Sequence, residues 1–298
     1  MPMLKEVLRG VLSEEEVRRL YSSFDIIGEI AVIKVPDELL EKKHEIGNAI
    51  IRNVKHVRSV YMQVSPVKDA YRVREVECIA GIDDPVTIYK EYGCRFKVNV
   101  AKVYFSPRLS TERARISSLV RDDETIVNMF AGVCTFSIIM VKRNPRCKVY
   151  SIDINPDAVI LCNENARLNR VEDRVHVILG DAGEVIISML LDTADRVLMP
   201  LPEKAREYMP YALMALRTGH DCYIHYFTHI RGNRKEIDRI CREEVESIMR
   251  NGNYSIDGRN YRYTFNIVGM RIVREVGPRV YQVVADIMVR KWLGELCR

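Results

Sequence analysis

"TIVNMFAGVCTFSIIMVKRNPRCKVYSIDINPDAV", residues 125–159, holds two apolar strand cores, each ending in a short turn and followed by a helical pattern. TIVNMF runs into the small pair Ala131 and Gly132, and a helix is predicted over 133–143. KVYSID ends at Asp153; Asn155 then suits a helix cap and Pro156 the first turn of a helix reaching Leu168. The alternation continues with RVHVILGD before a helix near 183–191, and DRVLMP before one from about 203 to 217. CYIHYFTH and a charged helix over 233–250 follow. Apolar strands separated by amphipathic helices specify a parallel sheet covered on both faces, and the closing pair YRYTFNIVGMRIV and RVYQVVADIMVR predicts an antiparallel edge.

Upstream of Asp122 the pattern differs. Ser13 followed by Glu16 forms a capping box, SFDIIGEIAVIKV reads as a strand or bent hairpin, and a helix is expected from Pro36 and Asp37 through about Val54. HVRSVYMQV, YRVREVECIA, PVTIYKEY and CRFKVNVAKVYF read as strands. The chain is therefore expected to divide into a small α+β unit dominated by antiparallel sheet, residues 1–108, and a larger α/β domain, residues 109–298.

A chain of 298 residues can bury a full core. Lys and Arg number 46 against 41 Asp and Glu, a net charge of +5 that permits a locally basic face. The eight cysteines form no CxxC pair and MPMLKEVLRG is no apolar signal segment, which predicts reduced thiols in a cytoplasmic protein. The run at 126–141 is broken by Asn128 and Gly132 and falls short of the roughly 20 apolar residues of a membrane span. No membrane or protein partner is expected. His220, His225 and His229 do not converge by strand alternation, so no metal site is expected, and Cys134 reads as a small buried filler.

In such sheets ligands bind beyond the carboxyl ends of the strands. The GxGxxG of dinucleotide folds is absent. Asp153, 25 positions after Asn128, stands where an acid accepts hydrogen bonds from ribose hydroxyls. Asp181 and Ala182 offer an edge and a face for adenine, with a capped turn as the alternative. Pro200 and Pro202 stiffen the fourth strand end. Together these four ends outline a Rossmann-like class I S-adenosylmethionine fold. Just before the first of them, YFSPRLSTERAR at 104–115 sets Glu112 among Arg108, Arg113 and Arg115, which suits either an active site for a polyanion or a charged helix start capped by Ser110.

At IYKEYG, FKVNVAKVYFSPRLSTER, MFAGV, DINPDA, LNRVEDRV and DRVLMPLP the chain resembles the archaeal and eukaryotic tRNA (guanosine-37 N1)-methyltransferases. These are near relatives of the aminocarboxypropyl transferase of wybutosine synthesis. The resemblance runs from about Ser22 to Lys291 and implies S-adenosyl-L-methionine as cofactor and the tRNA anticodon stem-loop as partner. It implies that the N-terminal unit helps bind tRNA and that a further small domain carried in front by many members is missing. It casts Glu112 as general base and Arg72 as the group facing the guanine carbonyl oxygen, with Tyr104, Arg108, Leu201 and Pro202 around the target base. It casts Arg113, Asn128, Phe130, Ala131, Gly132, Asp153, Ile154, Asp181, Ala182 and Pro200 as cofactor contacts. Two positions depart from the pattern: Asn128 where the family usually has Asp, and Pro200-Leu201-Pro202 where it has Asn-Leu-Pro.

Guanine N1 holds a proton at neutral pH, so a carboxylate that removes it and a cation that stabilises charge on the adjacent oxygen answer the chemical need. The target base would have to leave its stack, with Arg72, Arg74, Arg108, Arg113 and Arg115 available for phosphates. The alternatives are aminocarboxypropyl transfer with the same cofactor and a noncatalytic tRNA-binding protein.

Overall fold

The structure, a computed structural model, describes residues 4–8, 10–20, 24–64, 75–250, 253–256 and 259–293. Helices α1 (Leu4–Val7) and α2 (Glu14–Arg19) come first, and Ser13 and Glu16 each accept the other's backbone N–H, as expected of a capping box. Strands β1 (Asp25–Ile27) and β2 (Ile30–Ile33) form a hairpin that turns at Gly28 with φ +58°. A side chain there would collide with Thr87 and the Ile88 carbonyl, so the position needs glycine twice over.

The expected helix from Pro36 is a 3-10 turn over Asp37–Lys42 followed by α3 (Lys43–Asn53), which carries the chain to β3 (Ser59–Gln63), parallel to β2. β4 (Val76–Gly81) returns antiparallel. With β1–β2 and β3–β4 antiparallel, antiparallel pairing dominates the N-terminal sheet as expected; the one parallel pair, β2 with β3, is permitted by the helical crossover where a tight turn would forbid it.

β5 (Val86–Glu91) and β6 (Cys94–Asn99) make a second hairpin. The strand expected to run on to Phe105 stops at Asn99, whose side chain and carbonyl accept the N–H groups of Ala101, Lys102 and Val103. The open edge of β6 is closed by two side-chain amides. Asn165 accepts from Lys97 N (2.6 Å) and donates to Lys97 O (3.0 Å), and Asn169 does the same with Arg95 (2.9 and 2.6 Å). This hairpin precedes the expected division at residue 108, yet it docks on the α/β layer.

That layer comprises α4 (Ser110–Leu119), β7 (Thr125–Asn128), α5 (Thr135–Arg143), β8 (Lys148–Asp153), α6 (Pro156–Leu168), β9 (Val175–Leu179) and α7 (Ala182–Met189). β10 (Arg196–Met199), α8 (Pro202–Ala215), β11 (Asp221–Arg231), α9 (Ile237–Met249), β12 (Asn253–Ile256), β13 (Arg259–Gly277) and β14 (Val280–Leu293) complete it. Among the described residues these strands form an eight-stranded sheet of order β12-β13-β14-β11-β10-β7-β8-β9, parallel from β11 to β9 and antiparallel beyond β11. This is the Rossmann-like α/β sheet with the antiparallel edge read from the sequence; the short β12 was not anticipated. α4, α5, α6 and the β5–β6 hairpin pack on one face, sharing a core with Ile27, Ile30 and Tyr61 of the N-terminal unit, while α7, α8 and α9 cover the other.

Two of the cysteines expected to be reduced, Cys134 and Cys162, are joined as a disulfide. They lie 28 residues apart, but parallel pairing of β7 with β8 sets the turn after β7 against α6. No helix among the described residues is long and apolar enough to cross a membrane, and no His, Cys, Asp and Glu cluster among them has the makings of a metal site.

Candidate active site

From β7 the chain steps outward through β8 to β9, then returns to β10 on the opposite side of β7. Ligands of open α/β sheets sit at such reversals, beyond the carboxyl ends of the strands. A cavity of about 230 Å³ opens there. Phe130 and Gly132 reach it from β7, Asp153 and Ile154 from β8, Asp181 and Ala182 from β9, and Pro200 and Leu201 from β10. Tyr104, from the segment leading into α4, lines it as well.

Asp153 is the most constrained of these groups. One carboxylate oxygen accepts from Gly132 N (2.6 Å) and the other from Asn155 N (2.9 Å). Burial pushes its carboxyl up, and the backbone N–H groups of Asn155, Gly132 and Ile154 pull the other way. With one donor on each oxygen, the carboxylate keeps acceptor capacity for two hydroxyls. Gly132 adopts φ +55°, and a Cβ there would meet nothing nearer than the Tyr104 carbonyl at 4.0 Å, so the turn leaves a cradle of exposed backbone. Asn155 caps α6 as expected and also donates to Lys102 O (3.0 Å), tying the helix to the segment that bears Tyr104.

Asp181 both caps α7, through Gly183 N (2.8 Å) and Glu184 N (3.2 Å), and accepts the hydroxyl of Tyr208. Burial and that bond to Asp181 push the Tyr208 hydroxyl far up, so it stays a donor. Its ring meets Phe130 edge-on at 5.2 Å, giving the cavity an aromatic wall.

Other residues singled out from the sequence lie off the cavity. Asn128 is fully buried; its Nδ2 donates to Ser137 Oγ (3.1 Å), and its Oδ1 is the one buried side-chain acceptor among the described residues without a partner. Ala131 is buried behind the turn and Pro202 opens α8. Arg113 does not reach the cavity. Its guanidinium, 2% exposed, is held by both oxygens of Glu91 (2.7 and 2.6 Å) and by Ser106 O (3.2 Å). Arg108 pairs with Asp25 at 2.6 Å. Arg72 and Arg74 lie outside the described residues.

Glu112 sits in the first turn of α4 and is 1% exposed. Arg115 clasps it through Nη2 (2.6 Å) and Nε (2.9 and 3.1 Å), and Arg271 approaches at 3.4 Å. The alternative reading of Glu112 needs correction in one respect: Ser110 does not cap this helix, whose N-cap position is Leu109 and carries no side-chain cap. The five arginines expected to meet phosphate are also reduced, since Arg113 and Arg115 are committed inside the protein.

Sequence reasoning missed Met129, Lys204 and Tyr208 as cavity residues. Lys204 and Tyr208 stand four apart on α8, the spacing that puts two side chains on one helix face, so KAREY following the fourth strand end carried a usable signal.

A family profile described as the TRM5/TYW2 methyltransferase domain matches residues 87–256, and one described as the TYW2 N-terminal domain matches residues 4–84. The chain belongs to the TRM5/TYW2 methyltransferase family. Among its members, tRNA (guanine(37)-N(1))-methyltransferase Trm5b of Pyrococcus abyssi is 39% identical over 276 residues, covering 92% of this chain and 77% of its own. The tRNA 4-demethylwyosine(37)-methyltransferase Taw21 of Saccharolobus solfataricus is 33% identical over 285 residues, 95% of this chain and 99% of its own. The solved complex of aTrm5 and tRNALeu superposes with a TM-score of 0.78 at 32% identity, covering 96% of this chain and 78% of that one. The cofactor of the TRM5/TYW2 family, S-adenosylmethionine, fits the residues present: a half-buried Asp153 facing the cavity with acceptor capacity left, and an open backbone cradle at Gly132.

Proposed function

We propose that this methyltransferase acts on tRNA, at N1 of guanosine 37 in the anticodon loop. The observation that carries the reading is the cavity at the β7/β10 reversal, where one half-buried acid, one glycine cradle and an aromatic wall meet the segment that precedes α4. Bound there, S-adenosylmethionine supplies an electrophilic methyl group. Asp153 accepts the ribose hydroxyls, the Gly132 turn lies on the methionine side with Asn128 buried behind it, and Phe130 with Tyr208 excludes water from one wall. Ile154, Ala182 and Pro200 supply apolar surface around the nucleoside, and Arg113 acts behind them by fixing Ser106. Tyr104, Arg108, Leu201 and Pro202 border the base. Glu112 takes the N1 proton and Arg72 faces the guanine oxygen. Arg271, the longer and more exposed of the two guanidinium contacts on Glu112, is the one an incoming base replaces.

A polyanion also needs a track for its backbone. A groove of about 940 Å³ between the N-terminal sheet and the β5–β6 hairpin presents His56, Arg58, Lys90, Arg95 and Lys97. Arg58 and Lys97 have acidic neighbours there, Glu29 and Glu164, which leaves Lys90 and Arg95 as the freer cations. Contacts of this kind make tRNA affinity fall steeply with salt.

A second reading is favoured by one observation, the match to Taw21 over almost the whole of both chains. It makes the acceptor a 4-demethylwyosine at position 37 rather than guanosine. The test is incubation with labelled S-adenosylmethionine and two tRNAs, one with guanosine 37 and one with 4-demethylwyosine, followed by nucleoside mapping and mass spectrometry. N1-methylguanosine from the first is the expected product. Methylation of the second alone would move the assignment to 4-demethylwyosine, an aminocarboxypropyl mass increase would move it to the other branch of the family, and tRNA binding without turnover would end the catalytic reading.

A further inference from the structure

Three neighbouring strands carry buried ionisable side chains that lie close together: Arg196 at the start of β10, His225 in β11 and Asp286 in β14. Burying such groups costs free energy unless every one is partnered. Here they are joined end to end. Arg196 grips Glu124 with two bonds (2.7 and 2.9 Å) and donates to Leu119 O at the end of α4 (2.8 Å). Its Nη1 lies 2.7 Å from His225 Nε2, and His225 Nδ1 lies 2.6 Å from Asp286 Oδ1.

An arginine has only donors, so His225 Nε2 must accept and Nδ1 must carry the proton. The ring is therefore the neutral Nδ1–H tautomer, and burial, which pulls its pKa down, acts in the same direction. Asp286 then receives Arg115 through both guanidinium ends (2.6 and 3.0 Å). Burial alone would raise its carboxyl, but the bonds from His225 and Arg115 hold it well below the ordinary carboxylate range. Room for this carboxylate is made by Gly269 across the strand pair, where a Cβ would stand 3.1 Å from Asp286 Oδ2. Arg115 is thus held on one side by Asp286, and on the other it holds Glu112.

We propose that His225 and Asp286 are positioning residues for methyl transfer: they fix Arg115, and through it they set the Glu112 carboxylate in the first turn of α4. Nothing in their own reach is a substrate group; both are buried in the sheet and act through Arg115. The inference rests on Glu112 as the base, and Asp286→Asn is its direct test. Asparagine retains the acceptor for His225 but loses the charge that orients Arg115. Misplacing a proton acceptor in this way is expected to slow single-turnover methylation about 100-fold, with tRNA and S-adenosylmethionine affinities unchanged.

The decisive comparison is with Glu112→Gln. If Asp286 works only through Glu112, Asp286→Asn causes no further loss in the Glu112→Gln background. Should Asp286→Asn fold poorly, His225→Phe asks the same question, since it removes the ring N–H that holds Asp286 behind Arg115. Multiplicative losses in the double variant, or an unaltered rate in both single variants while Glu112→Gln is slow, would overturn the positioning role and leave the base assignment standing. A Glu112→Gln enzyme with full activity would remove both.

Discussion

Replacing Asp153 by asparagine isolates the group on which cofactor binding is expected to depend. In the structure its two oxygens each take one backbone N–H, from Gly132 and Asn155, and each keeps a lone pair free on the cavity. Asparagine offers one oxygen instead of two, and its NH₂ opposes one of those N–H donors. At least one hydrogen bond from a ribose hydroxyl to a charged acceptor is lost, which is worth about 1.5–3 kcal/mol, or roughly 10- to 150-fold in Kd. The protein itself loses little, because the substitution also removes a carboxylate whose burial is unfavourable. Calorimetric titration of the wild type and the variant with adenosine and with 2′,3′-dideoxyadenosine closes a cycle that assigns the loss to the hydroxyls. The wild type should prefer adenosine and Asp153→Asn should not. Equal weakening of both ligands by the substitution would refute the ribose contact and reduce Asp153 to a brace for the Gly132 turn.

Protein purified without reductant and then denatured should titrate two thiols fewer than the eight present after reduction, because Cys134 and Cys162 are joined. Reducing that bond, which closes a loop 28 residues long, should cost about 3.5 kcal/mol and lower the melting temperature by about 6 °C; eight thiols would sink the expectation. Asn165→Ala removes the partners of Lys97 N, Lys97 O and Val133 O together and should destabilise the fold by about 3 kcal/mol in denaturant titrations. His225 is neutral when folded and its pKa is pulled below the ordinary 6.5, so the unfolded chain binds the extra proton first. Stability should therefore fall as pH drops below about 6.5, with His225 contributing at most about 1.4 kcal/mol per pH unit, and His225→Asn should flatten that slope. An unchanged slope would place the acid sensitivity elsewhere.

The α/β sheet was legible because each strand and helix announces its period locally, and Asn155, Pro156 and Ser13 mark their helix starts by type. The four strand ends were legible for the same reason, since a turn residue after an apolar strand identifies a carboxyl end whatever packs around it. What escaped were pairings between distant segments. The parallel partner of β2 depends on a crossover helix, and the closure of the β6 edge depends on two amides some 70 positions downstream (sequence separations 68 and 74), which no local pattern announces. The disulfide is of this kind, and so is the commitment of Arg113 to Glu91 rather than to the cavity. A partial signal did exist for the buried network. His225 and Asp286 each sit in a strand whose neighbours on the same face are apolar, and an ionisable group in such a place requires a partner. The sequence could not say which.

The antiparallel extension read from the sequence as a sheet edge turns out to hold the segment that leads into α4. β13 sends Arg271 to Glu112, and three residues later Arg274 donates to Ser106 Oγ (2.9 Å), Tyr104 OH (3.1 Å) and Gln282 Oε1 (2.7 Å). YFSPRLSTERAR is therefore held from three sides: Arg113 binds Glu91 of the preceding hairpin, Arg115 binds Asp286 of β14, and β13 supplies Arg271 and Arg274. These holds differ in kind. Arg113 is buried and Arg115 is half-buried with both its partners enclosed, whereas Arg271 is 40% exposed and makes the longest contact on Glu112. A phosphate or base arriving on that side competes with Glu112 for Arg271 alone, while Arg115 stays fixed behind it. The carboxylate can then be uncovered toward substrate without losing its position, and the base role proposed for Glu112 needs that combination to act on a nucleotide delivered from outside.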